Sequence, residues 1–323
     1  MIWILHHRSP GTTNAYSMWY QAQAIAKVLQ SFDDVNIAYY YQYRPLRDAK
    51  VIIVEDFFVY CKFNLHKRLR NKTIAWLDSA VYESNVKFPQ SDNIGLVVTS
   101  EYDKKRFEKY TDNIIAAVPR CFDVISLNAS VTLYPQVDKI FDFITIGWKD
   151  MFDRKNFNLL FELAKEFPDL KFCVITNDSR FDQLPNVTRY RFGEVNDVEK
   201  YTLLRSSKFY LHLSKFEGFG VPVIEALACG TPVIMSDALI HNTLFNCKAI
   251  IKVPCKQHEF ASSSLGKYLF FYVDVPELFE IIKYAKEISP TEYADMSREA
   301  IEFAQKFDSY KVAIQLYNLL NSF

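Results

Sequence analysis

Short apolar runs and amphipathic segments alternate along almost the whole chain of 323 residues, and this alternation restricts the fold more than any other feature. Runs such as Ile2–Leu5 and Val51–Glu55 have the length of strands, whereas the segment 15–30 carries apolar residues at helical spacing. Strands that alternate with helices predict parallel sheets covered by helices. We therefore expect an α/β fold made of doubly wound units.

The alternation occurs twice, before and after a segment, 119–138, that lacks periodicity and holds two prolines. We interpret this segment as a linker between domains 1–135 and 136–308. The strands predicted in the first domain are Ile2–Leu5, Asn36–Tyr41, Val51–Glu55, Thr73–Leu77, Ile94–Thr99 and Ile114–Val118. Those predicted in the second are Ile140–Gly147, Leu170–Thr176, Val187–Phe192, Phe209–Ser214 and 231–235, with helices at Lys155–Phe167, 197–206, 222–229, 275–288, 291–306 and 309–321.

Composition excludes several classes of protein. Apolar residues make up 50% of the chain, which is too much for a disordered protein. Lys+Arg and Asp+Glu are equal at 38 each, so no overall field attracts nucleic acid or membrane. The six cysteines have no CxxC spacing, so we expect no metal site. Without an apolar stretch of membrane-spanning length or a signal-peptide core, we expect a cytoplasmic protein with no transmembrane segment.

The segment 214–236 carries most of the chemical information. A predicted strand ends at Ser214, and a loop with Gly218 and Gly220 leads into a helix that has Pro222 in its first turn. Glycines let a ligand approach the backbone, and the helix start suits a phosphate or a developing anion. Glu225 lies inside an otherwise apolar helix, where an unpaired carboxylate is costly, so it needs a partner.

This segment resembles the E-x7-E signature of the family 4 glycosyltransferases, with Glu217 and Glu225 at the two glutamate positions. The resemblance implies the GT-B fold of two facing Rossmann-like domains, with the final helix, about 309–323, packing back on the first domain. It also implies a retaining, hexosyltransferase-type glycosyltransferase with a nucleotide-sugar donor. A UDP-sugar is favoured, and neither a cofactor nor an obligatory metal is expected.

The resemblance also implies roles for individual residues. Glu225 would bind the ribose hydroxyls, and Glu217 would contact the donor sugar near the reacting carbon as a catalytic residue. Phe192–Val195 resembles the family's glycine-containing turn near the nucleotide. The residues expected to bind the donor are Glu225, Gly218, Phe219, Gly220, Val221, Gly193 and Glu194.

The family usually has a Gly-Arg and a later lysine that hold the diphosphate. This chain has Gly147-Trp148-Lys149 followed by Arg154-Lys155, so the arginine position is displaced or replaced. We predict that Lys149 and Lys155 stabilise the leaving diphosphate as catalytic residues, with Arg154 as the alternative. Solvated lysines at a loop and a helix start are the other interpretation.

The first domain departs further from the family pattern. Gly11 and Thr12 follow the first strand and are expected near the donor phosphate, whereas His6 and His7 are interpreted as structural. Asp78 follows the fourth strand and is predicted to contact the sugar or the acceptor, with a helix cap as an equal alternative.

The acceptor stays open. A basic stretch at 62–72 is either a solvated helix end or a surface for an anionic partner. That partner would be DNA or a membrane surface that the protein contacts weakly and peripherally. The acceptor could be a glycan, a lipid, a protein or, least favoured, DNA. Two other functions also stay open: a catalytically silent nucleotide-sugar binding module, and a sugar-nucleotide epimerase of the same architecture.

Overall fold

The structure, a computed structural model, describes residues 1–6, 16–39, 48–62, 69–85, 92–238, 243–263 and 266–322. The chain forms two compact units. Unit 1 comprises Met1–Val124, Phe260–Tyr268 and Lys306–Phe323, and unit 2 comprises Ile125–Glu259 and Leu269–Gln305.

Unit 1 contains a sheet in which six strands of the described residues pair in the order β2-β1-β3-β4-β5-β6, all parallel. These strands are β1 (Ile2–His6), β2 (Val35–Tyr39), β3 (Lys50–Asp56), β4 (Thr73–Asp78), β5 (Ile94–Val98) and β6 (Ile114–Ala117). The central strands are buried on both faces, which is why they read as nearly continuous apolar runs.

The helices of unit 1 cover this sheet. Helix α1 (Tyr16–Leu29) and the C-terminal helix (Ser309–Ser322) pack on each other and share one apolar core with the sheet. The C-terminal helix contributes Val312, Ala313, Leu316 and Leu320 to that core. Two shorter helices that the sequence did not predict, α2 (Phe57–Lys62) and α3 (Glu101–Phe107), follow β3 and β5. Such short segments give too few turns for a helical period to be recognised.

Unit 2 contains a second sheet of six parallel strands in the described residues, in the order β12-β11-β10-β7-β8-β9. Its strands are β7 (Phe141–Ile146), β8 (Phe172–Thr176), β9 (Val187–Arg191), β10 (Ser207–His212), β11 (Val233–Ser236) and β12 (Ile250–Val253). Counted from β7, this is the 3-2-1-4-5-6 order of a Rossmann fold. The order reverses between β7 and β10, so this pair marks the switch point of the sheet.

Helices α5 (Phe157–Glu166), α6 (Asp197–Arg205) and α7 (Val221–Ala228) connect these strands. After the sheet come β13 (Cys255–Ser263) and β14 (Gly266–Val273), which form a separate two-stranded sheet. Helices α8 (Val275–Glu287), α9 (Pro290–Ala304) and α10 (Ser309–Ser322) end the chain. The strands β12 to β14 were not predicted, because they are consecutive and break the alternation on which the prediction rested.

The predicted linker at 119–138 contains a helix that the sequence did not predict, α4 (Val124–Leu133). Its polarity pattern explains the omission. Ser126 and Ser130 are buried, whereas Val131 and Leu133 are exposed, so apolar spacing does not mark the buried face. The division between the two units falls at the start of α4.

We expect Leu316→Ala to lower the free energy of unfolding of unit 1 by about 2–5 kcal/mol, because it opens a cavity in a closed core. Ile314→Ala on the same helix is the control, since Ile314 is 41% exposed and should cost far less. Urea denaturation monitored by circular dichroism would compare the two variants. Equal losses would show that α10 is not anchored by its apolar face.

Candidate functional site

The loops that follow β7 and β10 meet at the switch point of unit 2. These two strands are parallel neighbours, with Tyr210 opposite Ile144, so their carboxyl ends lie at the same edge of the sheet. In doubly wound folds, ligands bind in the crevice at this point. The loops carry all three residues predicted to be catalytic, Glu217, Lys149 and Lys155.

The loop after β7 has an unusual backbone. Asp153 and Asn156 have φ angles of 47° and 60°, in the left-handed region. The Asp153 carboxylate accepts hydrogen bonds from the backbone N–H groups of Phe157 and Asn158, at 2.8 Å and 3.1 Å, and so caps α5. A Cβ atom at Gly147 would lie 3.0 Å from Cγ of Lys155, so the glycine makes room for the lysine side chain.

Glu217, in the loop after β10, lies between two cations. Nη1 of Arg154 lies 2.5 Å from Oε2 of Glu217, and Nζ of Lys155 donates to Oε1. The backbone fixes the approach, because the Lys215 N–H donates to the Arg154 carbonyl at 2.8 Å. The structure thus brings together Glu217, Lys155 and Arg154, the last of which the sequence gave only as an alternative.

Charge determines the protonation state of this cluster. Burial alone would raise the pKa of Glu217, but the charges of Arg154 and Lys155 outweigh burial and hold the pKa well below its usual range. Burial lowers the pKa of Lys155, an effect that Glu217 opposes. Asp150 also contacts Arg154, at 3.5 Å. At neutral pH Glu217 is therefore a carboxylate and cannot act as a proton donor.

Two buried side chains of β10, His212 and Tyr210, lie near Glu217. Nε2 of His212 is 3.7 Å from Oε1 of Glu217, and Nδ1 of His212 is 3.5 Å from the hydroxyl of Tyr210. Burial raises the pKa of Tyr210 well above its usual value, and Glu217 and Glu225 add to the effect. The sequence did not single out either residue, because they alternate with the apolar residues Phe209 and Leu211 and read as core.

Helix α7 begins beside this cluster. Gly220 has a φ angle of 95° at the N-cap, and Pro222 stands in the first turn, as the sequence predicted. The Phe219 side chain is buried near the ring of Phe245. The first turn of a helix has N–H groups without intrahelical acceptors, and its dipole attracts anions. Contacts of Gly218, Phe219, Gly220 and Val221 with a donor stay predictions. Gly230 ends the helix with a φ angle of 68°.

Glu225 has the partner that its burial requires. Nζ of Lys200 on α6 lies 2.7 Å from Oε1 of Glu225 and 3.0 Å from the Asp197 carboxylate. Burial would lower the pKa of Lys200, but Glu225 and Asp197 together raise it well above its usual value. The sequence did not predict Lys200, since nothing local in the sequence links it to Glu225.

Lys149 makes a different set of contacts from Lys155. Its Nζ lies 3.0 Å from Oδ2 of Asp178 and 3.0 Å from Oδ1 of Asn158, after β8 and on α5. Burial would raise the pKa of Asp178, but Arg180 and Lys149 lower it to about 2. The structure therefore does not place the two predicted lysines on the same carboxylate. The role of Lys149 toward a diphosphate stays a prediction.

The turn at Gly193 follows β9. Gly193 has a φ angle of 90°, and a Cβ there would meet no atom within 4 Å. Glu194 is exposed and contacts Arg191 at 3.3 Å. The ring of Trp148 lies 6.0 Å from that of Phe192, in an edge-to-face arrangement.

In unit 1 the structure places Asp78 in an ion pair, with Oδ1 lying 2.9 Å from Nη2 of Arg120. The same guanidinium packs over the ring of Trp76, 4.5 Å from its centroid. The alternative interpretation of Asp78 as a helix cap is wrong, because the described residues that follow it directly, 79–85, form no helix. Gly11, Thr12 and His7 lie outside the described residues, as do residues 63–68 of the basic stretch. His6 is buried beside Tyr39, with 4.9 Å between ring centroids.

Asp56, the last residue of β3, is half-buried, and Asp103, in the first turn of α3, is buried; the charge of Asp78 acts on both. Burial raises the pKa of Asp56 to about 6 although Ser79 donates to its carboxylate, and Asp78 contributes to the rise. Burial likewise raises the pKa of Asp103 to about 6, against the effects of Arg106 and Thr99. Both carboxyls bind protons more tightly in the folded chain than in the unfolded one.

Known proteins resemble this chain in sequence and in fold. Residues 142–261 match the family model of glycosyl transferases group 1. The match is shorter than half of the chain, and it includes the loops after β7 and β10 together with α6 and α7. The cluster around Glu217 and the pair of Glu225 with Lys200 thus lie within the matched segment.

A viral protein is similar to this chain in sequence. ORF313 of Acidianus filamentous virus 1, whose name assigns it provisionally to the glycosyltransferases, is 30% identical over 182 residues. The aligned part covers 56% of this chain and 56% of that protein, so the chain spans little more than half of its relative's length. Together, the family model and this relative support glycosyl transfer.

Solved structures resemble the whole chain. Sucrose-phosphate synthase from Thermosynechococcus elongatus has a TM-score of 0.68 at 13% identity, over 99% of this chain and 98% of that one. HepE of Anabaena, in complex with UDP and glucose, has a TM-score of 0.65 at 13% identity, over 100% and 99%. At such identities the likeness shows the fold alone. The predicted α/β class and GT-B fold are confirmed.

The described residues contain neither a membrane-spanning helix nor a cluster of metal-binding side chains. None of the helices there is long and apolar enough to cross a membrane. Within the same residues, no group of three or more His, Cys, Asp or Glu side chains could hold a metal ion.

The raised pKa values of Asp56 and Asp103 predict that stability increases as the pH falls from 8 to 5. Because the folded-state value of about 6 exceeds the unfolded value of 3.8, protonation favours the folded state below pH 6. Each group should contribute about 1.4 kcal/mol over this range. Urea midpoints at pH 8, 6.5 and 5 would measure the gain, and Asp56→Asn should remove roughly half of it. An Asp56→Asn variant with the full gain would contradict the assignment.

Proposed function

We propose that this protein is a retaining glycosyltransferase that transfers a sugar from a nucleotide-diphosphate donor. The observation that carries the proposal is the convergence of Arg154 and Lys155 on Glu217, at the switch point of unit 2 and beside the start of α7. The family match over 142–261 agrees with it.

In this proposal Arg154, Lys155 and the first turn of α7 bind the donor diphosphate. The side chains of Arg154 and Lys155 would neutralise the charge that develops when the diphosphate leaves. Because both cations already bind Glu217, they are held in place before the donor arrives. Such preorganisation avoids the cost of reorienting charges during the reaction.

Glu217 would accept hydrogen bonds from hydroxyls of the donor sugar. Its low pKa keeps it ionised, so its role is to orient the sugar rather than to supply a proton. His212 lies 3.7 Å from the Glu217 carboxylate, and the hydroxyl of Tyr210 lies 3.5 Å from His212. The two buried side chains thus pack in sequence next to Glu217.

Glu225 would bind the ribose hydroxyls. Lys200 donates to Oε1 of this carboxylate and balances its negative charge. The ribose hydroxyls therefore do not have to stabilise an unpaired charge. We favour UDP as the nucleotide, and the UDP complex of HepE agrees with this choice. The acceptor is open, and a binding module without turnover is the alternative that the experiments below distinguish.

We expect at least one of UDP, GDP, ADP and TDP to raise the melting temperature by several degrees without magnesium. A ligand at about 100 times its Kd stabilises a folded protein by roughly 2.7 kcal/mol, which corresponds to a shift of several degrees for domains of this size. Thermal denaturation with each nucleotide at millimolar concentration would measure it, and nucleoside monophosphates provide the control for the diphosphate contribution. Flat melting temperatures with all four nucleotides would remove the donor-site proposal.

We expect Lys155→Ala to lower the rate of donor turnover about a hundredfold or more, since a cation aimed at the leaving group is worth roughly 3–4 kcal/mol. Turnover is measured as UDP released from UDP-glucose and other UDP-sugars. Glu217→Gln should also lower turnover while nucleotide binding is largely retained, whereas Glu225→Gln should weaken binding. Lys165→Ala is the control, because Lys165 is an exposed lysine on α5.

A folded Glu217→Gln variant with the wild-type rate would contradict the role of Glu217. Nucleotide binding without release of UDP from any donor by the wild-type protein would favour the silent binding module. Lys149→Ala tests the predicted role of Lys149, and a loss as large as that of Lys155→Ala would place both lysines in the reaction.

A further inference from the structure

The loop that carries Glu217 is bonded on both sides through its backbone. On one side the Lys215 N–H donates to the Arg154 carbonyl, and on the other the Lys215 carbonyl accepts from the Phe271 N–H, each at 2.8 Å. Phe271 belongs to β14, which lies outside the six-stranded sheet. Three segments far apart in the sequence thus lie side by side at the site.

Aromatic side chains also connect these three segments. The rings of Phe270 and Phe216 stack at 4.7 Å between centroids with an interplanar angle of 10°, and both side chains are buried. The ring of Phe152 meets Phe270 edge to face at 6.0 Å. On its own side, Phe216 lies 5.8 Å from the Arg154 guanidinium. The stack therefore contacts the segments that hold both Arg154 and Glu217.

The six-stranded sheet of unit 2 is complete without the hydrogen bond from Phe271 and without the stack of Phe270 on Phe216. Strand β14 begins after the end of the family match at residue 261, and the two-stranded sheet does not join the β7–β12 order. Phe216 immediately precedes Glu217, so a change in the position of its ring changes the position of the carboxylate. A displacement of about 1 Å in a reacting group can cost roughly a hundredfold in rate.

We infer that Phe270 of β14 is a positioning residue for the donor site, acting through its stack on Phe216 to fix Glu217 and Arg154. The inference rests on the proposed function for its effect on turnover, but its effect on the loop does not depend on that function. Phe270 is not among the residues predicted to bind the donor, and its role is to hold the loop after β10 in place against the loop after β7.

Phe270→Leu tests this role, together with Phe216→Leu and the double variant. Leucine keeps the site apolar and removes the stacking partner. Phe279→Leu is the matched control, because Phe279 also packs edge to face on a phenylalanine of unit 2, Phe167, at 5.4 Å, but on α8. Two readouts are compared: amide hydrogen exchange at Lys215 and UDP release from UDP-sugars, with the UDP-dependent melting shift as the measure of nucleotide binding.

We expect Phe270→Leu to speed exchange of the Lys215 amide about tenfold or more and to lower kcat by about tenfold or more. The melting shift with UDP should fall much less than kcat, since Glu225 and Lys200, the pair proposed to bind the ribose, are not part of the stack, whereas Arg154 contacts it. The effects of Phe270→Leu and Phe216→Leu on kcat should be less than additive in the double variant, because each removes the same contact. Phe279→Leu should leave exchange at Lys215 and kcat within about threefold.

Unchanged exchange at Lys215 in a folded Phe270→Leu variant would overturn the inference, as would fully additive effects of the two substitutions. Equal losses in Phe279→Leu would reduce the role of Phe270 to general stability and would also overturn it. If the wild-type protein shows neither a nucleotide-dependent shift nor UDP release, the proposed function fails, and the exchange measurement alone decides whether the stack fixes the loop.

Discussion

The structure of unit 2 depends on the ion pairs of Glu217. A buried carboxylate is unfavourable unless it is paired and hydrogen-bonded, and Glu217 obtains both from Arg154 and Lys155. These cations lie in the loop after β7, so the pairing requires the loops at the two sides of the switch point to converge. The close approach of Lys155 to Gly147 and the backbone bond from Lys215 to Arg154 follow from that requirement.

Glu217 and Asp178 each contact two basic side chains, Arg154 with Lys155 and Arg180 with Lys149. Asp78 contacts Arg120, and Glu225 contacts Lys200. The pairing of Glu217 has a chemical consequence. A guanidinium has five N–H donors, so in the proposed function Arg154 would donate to a phosphate oxygen while it and Lys155 stay on Glu217.

The sequence predicted what depends on local pattern. Buried parallel strands appear as apolar runs, and the glycine, proline and acid spacing of 217–230 identifies the loop and helix of the site. Contacts between distant segments could not be predicted in this way. Lys200 and Arg120 reach their acids across 25 and 42 positions, so nothing local marks them as partners. Lys149 and Lys155 seemed equivalent because they share a loop, yet that loop directs them to Asp178 and Glu217.

The reason lies in the backbone that flanks Arg154 and Lys155. Asp153 and Asn156 adopt left-handed conformations that cost of order 1 kcal/mol or more for residues other than glycine. Aspartate and asparagine tolerate this region best, and Asp153 offsets part of the cost by capping α5 through two N–H groups. Neither residue forms a recognisable motif, so sequence alone gives no sign of the turn. Yet the turns closed by the N–H groups of Asp153 and Asn156 flank Arg154 and Lys155, and both cations leave this segment toward the same carboxylate.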